Sequence, residues 1–279
     1  MPSLDAVKQA SARISPYLIR TPIRPAMFDN FFGRQVFYKC EHVQVSGAFK
    51  VRGALNHTLS LPSAERRVIA ASTGNHGVAV AYAAKCTQRE AVIYMPSGTS
   101  PQRRARIERL GATVHLAGKD CVDAERAARN EMEQGRGVYI SPYNDPVVIE
   151  GQATLGLELF EQDPGITHVV IAVGGGGLIS GMGAVLKALK PNIQIIGASP
   201  ANSNVMALSA QSGRVQPWSG LDTLSTSTAG GLEEPSVTLP ICTEVVDHWI
   251  DVSEAQIKAS MDRLQDDELI HIEGAAAVA

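Results

Sequence analysis

The chain has 279 residues, 44% of them hydrophobic and 19% charged, with a formal net charge of −3. That length buries one large core or two modest ones, and the near-neutral balance, with no long run of one sign, gives no electrostatic footing to a nucleic-acid or membrane-surface role. Four scattered cysteines, Cys40, Cys86, Cys121 and Cys242, form no CxxC pair and read as reduced thiols, and residues 1–5 lack a leader pattern, so a cytoplasmic protein without a membrane span is expected.

In chain order, the patterns predict a helix over 4–14, a strand over 35–40 and a helix over 48–60. Strands over 68–71, 91–94, 113–116 and 138–140 then alternate with helices over 76–85, 101–110 and 122–134. A helix over 147–161, strand 168–173, helix 178–189, strands 194–198 and 246–251, and helix 254–266 complete the series. This alternation predicts an α/β fold of mostly parallel sheets flanked by helices. The stretch 200–235, rich in Ser, Thr, Gly and Asn, breaks the pattern, and irregular stretches of that length are often functional or mobile. Residues 272–279, IEGAAAVA, open a helix without a C-terminal cap or a following strand, the pattern of a chain cut short.

Three segments carry chemistry. In Ser46-Gly47-Ala48-Phe49-Lys50-Val51-Arg52-Gly53-Ala54, Lys50 stands at a helix start among small or apolar neighbours. Such surroundings depress a lysine pKa from about 10.4 toward neutrality, and a neutral amine is what imine formation with an aldehyde requires. The plain alternative is an ordinary surface lysine. Ser72-Thr73-Gly74-Asn75 follows an apolar strand and opens a helix at His76. It reads either as an N-cap cluster or as a cup of hydroxyls and free N–H groups for a carboxylate. His76 reads as a helix-start residue rather than a base. Gly174-Gly175-Gly176-Gly177 follows the apolar strand and precedes an apolar helix. Glycines let the backbone approach a ligand, and charge-assisted hydrogen bonds from free N–H groups contribute about 1.5–3 kcal/mol each. The turn is therefore a phosphate cradle or a bare glycine-rich connection. A dinucleotide is disfavoured, because GxGxxG is met only loosely and Lys190 stands where the acidic partner belongs.

Together, SGAFKVRGA, STGNHGVA and VGGGGLISG resemble the fold-type II pyridoxal-phosphate enzymes, a tryptophan synthase β-like fold. The resemblance is to the threonine/serine dehydratase and serine racemase group, with the hydroxyectoine-utilisation dehydratases as a possible branch. The match runs from about residue 4 to the chain end, with Thr21-Pro22 and Gly151-Gln152-Ala153-Thr154 in register. It implies two domains, each an open, mostly parallel sheet flanked by helices. Residues 1–57 and 146–279 would form a large cofactor-binding domain, cut short at its C-terminus, and 58–145 a small substrate-clamping one. It implies that Lys50 carries pyridoxal 5′-phosphate as a Schiff base. Phe49 would pack on the pyridine ring, Asn75 would bond its phenolic oxygen, and Gly174, Gly175, Gly176 and Gly177 would cradle the phosphate. Ser72, Thr73 and the helix start at Asn75 and His76 would take the substrate carboxylate. The implied reaction is dehydration and deamination of L-threonine or L-serine to a 2-oxo acid and ammonia, in a homodimer.

Three departures from the group matter. Thr73 stands where racemases place a serine, and its bulk favours elimination over racemisation. Ser199 and Gly230 stand where metal-activated members carry acidic residues, so no metal is expected. The strand bearing a partner for the pyridine nitrogen would lie past Ala279. The alternatives to a dehydratase are a racemase or β-replacement enzyme, or a shortened homologue that binds without turnover.

Overall fold

The computed structural model describes every residue except Phe32, Gly33 and Ser219; the side chains of 28–31 and 34 are also outside the described set. Ser3 caps α1 (Leu4–Ile14), its hydroxyl accepting from the Ala6 amide at 3.2 Å. An antiparallel hairpin follows, β1 (Ile23–Phe31) with β2 (Arg34–Lys39). The chain then enters α2 (Lys50–Ser60). Next come β3 (Arg67–Ala71), α3 (Asn75–Cys86), β4 (Glu90–Met95), α4 (Pro101–Glu108), β5 (Thr113–Leu116), α5 (Cys121–Glu133) and β6 (Val138–Tyr139). The remaining elements are α6 (Pro146–Gln162), β7 (His168–Ala172), α7 (Gly177–Leu189), β8 (Gln194–Pro200), α8 (Val205–Ser212), α9 (Thr238–Val245), β9 (His248–Val252), α10 (Glu254–Asp266) and α11 (Gly274–Ala277).

The fold is α/β, as the alternation predicts, with two parallel sheets. One has the order β5-β4-β3-β6 and the other β7-β8-β9. In the first, the chain steps outward from β3 to β5 and then crosses back to β6 on the other side of β3. The carboxyl ends of β3 and β6 thus flank a topological switch point, where open α/β sheets form ligand crevices. Buried Val68, Ala70 and Ile93 of that sheet share a core with Val51, Ala54 and Leu55 of α2 and with Val80 and Ala83 of α3. Val169, Ile171 and Ile195 of the second sheet, with Ile193 just before β8, share another with Ile179, Met182 and Leu186 of α7.

Three elements differ from the sequence expectation. No strand was expected over 23–31; β1 holds Pro25, and it lies at the sheet edge with its register shifted between Pro25 and Asn30, which accommodates a residue lacking an N–H. Within the stretch read as irregular, α8 forms and ends on Gly213 at φ +71°. In α9, Pro240 lies in the first turn, where its missing N–H costs no hydrogen bond.

The position of α2 is fixed by its crossing with α6. A Cβ on Gly53 would come within 2.4 Å of Gln152 Nε2, and one on Gly151 within 2.6 Å of the Arg52 carbonyl oxygen. Beside this crossing Arg52, 2% exposed, donates from Nε and Nη2 to both oxygens of Glu41 at 2.8 Å, and from Nη1 to Glu158 at 2.9 Å. Lys39 Nζ completes the cluster at 2.5 Å from Glu158. A buried guanidinium is tolerable only with such pairing.

Candidate active site

Lys50 is the first residue of α2, and the turn before it is held from outside. Gly47 adopts φ +77°, its amide donates to the Gln44 carbonyl at 2.6 Å, and Arg106 Nη2 of α4 donates to the Ser46 carbonyl at 2.9 Å. Lys50 Nζ donates to the Pro142 carbonyl at 2.6 Å and lies 5.3 Å from the centroid of the Phe49 ring. Loss of solvent lowers the amine to about 8, while the Glu273 carboxylate pulls the other way. About a tenth of the amine is therefore neutral at pH 7, against well under a hundredth for an unshifted lysine.

β3 ends at Ala71 and the chain turns through Ser72-Thr73-Gly74 into α3. The Gly74 amide donates to Ser72 Oγ at 3.1 Å, and no side chain caps the helix. The first amides of α3 are thus left for a ligand. Asn75 Nδ2 donates to Glu273 Oε1 at 2.6 Å, and Ser227 Oγ to Glu273 Oε2 at 2.8 Å. His76 turns inward: it is 4% exposed, with Nε2 2.8 Å from the Ile140 carbonyl oxygen. Burial first, then the Lys50 charge, brings its pKa to about 3, so the ring is neutral and donates from Nε2. Its side chain therefore braces the β6–α6 segment, and only its backbone N–H faces the open helix start.

The glycine turn joins β7 to α7. Gly176 is the N-cap at φ +82°, again without a side-chain cap. From behind, Thr238 Oγ1 donates to the Gly175 carbonyl at 2.7 Å. Among the described residues, the amides of Gly174, Gly175 and Gly176 donate to no protein acceptor. Side chains are excluded: a Cβ at Gly174 would lie 2.8 Å from Thr228 Cα, at Gly175 2.4 Å from the Tyr143 ring, and at Gly176 2.7 Å from Met206 Cε. Residues 172–181 contain no lysine or arginine, so an anion there would be held by amides and the start of α7.

Phe49, Lys50, Ser72, Thr73, Asn75, His76 and Gly174 to Gly177 all line one cleft of about 3190 Å³, which runs on past β7. Every site residue expected from the sequence is thus brought to a single place. The amine, the adjoining ring, the side-chain amide and the backbone cradle fit pyridoxal 5′-phosphate: an aldehyde partner, a stacking surface, a donor for the phenolic oxygen and an anion site. Among the described residues no group of three His, Cys, Asp or Glu could hold a metal ion.

Sequence reasoning missed two residues. Glu273 anchors Asn75 and faces the Lys50 amine; the one signal was a lone carboxylate ahead of GAAA. Tyr143 packs under the glycine turn, with its hydroxyl accepting from the Glu233 amide at 2.8 Å. Nothing in its local pattern sets it apart.

The family described as pyridoxal-phosphate dependent enzyme matches residues 14–279, and the chain belongs to it. It is an enzyme of the pyridoxal 5′-phosphate class. Among curated relatives, a putative threonine dehydratase from Sinorhizobium fredii is 36% identical over 281 residues, covering 99% of this chain and 84% of that relative. A serine racemase from Arabidopsis thaliana is 33% identical, covering 98% of this chain and 83% of that relative. Among solved structures, the processed form of threonine deaminase isoform 2 from Solanum lycopersicum superposes with a TM-score of 0.92 at 32% identity, covering 100% of this chain and 78% of that one. Among the described residues, no helix is long and apolar enough to cross a membrane.

Proposed function

We propose that this cleft carries out β-elimination on a β-hydroxy amino acid, L-threonine or L-serine, releasing a 2-oxo acid and ammonia. The protein is then a pyridoxal-phosphate-dependent ammonia-lyase. The observation that carries the reading is the Lys50 amine, lowered to about 8, facing the same cleft as an uncapped glycine turn. When bound, pyridoxal 5′-phosphate supplies an electron sink for the pair left on Cα. The chain supplies the rest. Gly174 to Gly177 offer amides to the phosphate, Phe49 a face to the ring, and Asn75 a donor to the phenolic oxygen. Ser72, Thr73 and the α3 amides at Asn75 and His76 receive the substrate carboxylate. Lys50, as a neutral amine, accepts the α-proton. The proton taken from Cα goes out with the β-hydroxyl, which leaves as water, and hydrolysis consumes one water as ammonia is released.

Relatives named as threonine dehydratase or ammonia-lyase support this reading. A second reading, racemisation, has one observation in its favour: the Thr73 hydroxyl lines the cleft without a protein hydrogen-bond partner among the described residues, so it is free to pass a proton. The same proposal includes a small unit over 58–145 within a larger one, 1–57 and 146–279. The confinement of β3 to β6 to one sheet and β7 to β9 to another supports it, with α2, packed on both α3 and α6, as the joint. It also includes a homodimer and a cytoplasmic location, the latter supported by four free cysteines.

The test combines turnover with labelling. With pyridoxal 5′-phosphate, L-threonine and L-serine should yield ammonia and 2-oxo acid, and borohydride should fix the cofactor on Lys50. A label on Lys39 or Lys85 would remove the assignment; D-serine as the main product would favour the second reading.

A further inference from the structure

The connection between β6 and α6 receives three bases in order, two buried histidines and the half-buried Lys50. His76 Nε2 meets the Ile140 carbonyl at 2.8 Å, Lys50 Nζ the Pro142 carbonyl at 2.6 Å, and His57 Nε2 lies 3.3 Å from Asp145 Oδ2. Between the last two stands Tyr143, whose ring lies against Gly175 and whose backbone and Cβ lie against Gly177. Lys50 and His57 are seven residues apart on α2, hence on one face and about 10.5 Å apart along its axis. A single helix face thus grips this segment at Pro142 and at Asp145.

Asp145 divides its two oxygens. Oδ1 caps α6, accepting from the Val147 and Val148 amides at 2.7 and 3.0 Å, and Oδ2 is left for His57. His57 is 7% exposed, and among the described residues its Nδ1 has no partner. Its neighbours on α2 include Ala54, Leu55 and Thr58, all fully buried. Packing alone would be better served there by an apolar side chain, which would leave no polar atom orphaned. The ring's polar contact with Asp145, Nε2 to Oδ2 at 3.3 Å, is what distinguishes it from such a residue.

We propose that His57 is a positioning residue for Lys50. Held on Asp145, it sets the segment 140–145 so that the Pro142 carbonyl stands opposite the Lys50 amine and the Tyr143 ring stands beneath the glycine turn. The proposal rests on the reading of Lys50 as the reacting amine. His57 touches neither cofactor nor substrate; its effect passes through backbone geometry, where an error of about 1 Å costs on the order of a hundredfold in rate.

The experiment uses the full chain, pyridoxal 5′-phosphate and L-threonine or L-serine. His57→Leu removes the donor, His57→Gln keeps an N–H that reaches Asp145, and Asp145→Asn alters the acceptor while keeping the Oδ1 cap. His57→Leu and Asp145→Asn should lower kcat about 10- to 100-fold with KM within about threefold. The rate at which Lys50 captures the cofactor should fall in step, and His57→Gln should restore both to within a few-fold. Melting curves allow rates to be expressed per folded molecule. Equal impairment of the Leu and Gln variants, or rates unchanged once corrected for folded fraction, would overturn the proposal. Should borohydride label another lysine in the parent protein, the reading of Lys50 fails first, so the two failures are told apart.

Discussion

At the scale of single residues, the protonation of Lys50 is the controlling quantity. Its folded pKa of about 8 lies below the unfolded value of about 10.5, so between these pH values the folded chain holds fewer protons than the unfolded one. The cofactor-free protein therefore carries a destabilising contribution that is full below about pH 8 and fades as the pH rises toward 10.5. Each tenfold difference in proton affinity between the two states corresponds to about 1.4 kcal/mol, so Lys50→Met should be more stable than the parent at pH 7 by up to about 3 kcal/mol, and the gap should narrow by about pH 10. Denaturant melts at the two pH values measure this; a gap independent of pH would mean that the amine is not desolvated. Glu273 acts on the same quantity. Its charge raises the Lys50 pKa, and its two oxygens hold Asn75 and Ser227. Because a carboxylate only accepts, it keeps the amide nitrogen of Asn75 toward itself, and the second N–H is the donor that the proposed contact with the cofactor oxygen would use. In Glu273→Gln, the pH midpoint for cofactor capture should move down and cofactor affinity should weaken. Stopped-flow absorbance across about pH 6 to 10 reads both, and an unmoved midpoint would show that the charge is not felt at Nζ.

At the scale of elements, two strand-to-helix turns share one construction. β3 into α3 and β7 into α7 both end in helix starts without side-chain caps, whose free amides suit a carboxylate and a phosphate. The glycine turn is confined from behind as well. At Gly176 a side chain would need φ +82°, costing about 1–2 kcal/mol, and would press on Met206 and on Cys242 Sγ at 2.9 Å. Gly176→Asp therefore lowers stability as well as cofactor affinity, and Gly176→Ala is the control that isolates charge. Both should lose stability by about 1–3 kcal/mol, while by equilibrium dialysis the Asp variant should bind the cofactor at least tenfold more weakly than the Ala variant. Equal binding by the two would place the phosphate elsewhere.

At the scale of the whole molecule, the site depends on contacts that bridge its two sheets. Arg106 of α4 holds the turn before Lys50, and Arg129 of α5 meets Glu233 at 2.5 Å, beside the Tyr143 hydroxyl. Beneath them the cluster of Arg52, Glu41, Glu158 and Lys39 fixes α2 two residues beyond Lys50. Arg52→Met strips Glu41 of its guanidinium partner and leaves Glu158 to Lys39 alone, and should cost about 3–5 kcal/mol near pH 7. Glu158 is held below the usual carboxylate range, against the cost of burial, by hydrogen bonds from Arg52 and then Lys39. Its contribution is thus full above about pH 4.3 and lost as the pH falls through its folded value, so the penalty of Arg52→Met should shrink on acidification. Denaturant midpoints of both proteins from about pH 7 to pH 3 follow this; a constant penalty would mean that the loss is one of packing alone.

The sequence alone was enough for the α/β alternation and for marking the three segments that the fold brings to one cleft, because each is written locally, while the choice of Lys50 as the reacting amine came from the resemblance those segments carry together. Strand periodicity, helix starts and glycine runs need no distant partner to be read. Local pattern failed where the deciding force is remote. β1 tolerates Pro25 because it lies at an edge. Glu273 matters because it stands 2.6 Å from Asn75, 198 residues away in the chain. His57 is an ordinary helix residue until Asp145 lies beside it, and the glycines look free to vary until Tyr143, Thr228 and Met206 close behind them. Only tertiary structure decides these points, since burial, amine protonation and hydrogen-bond partners are set by which surfaces meet.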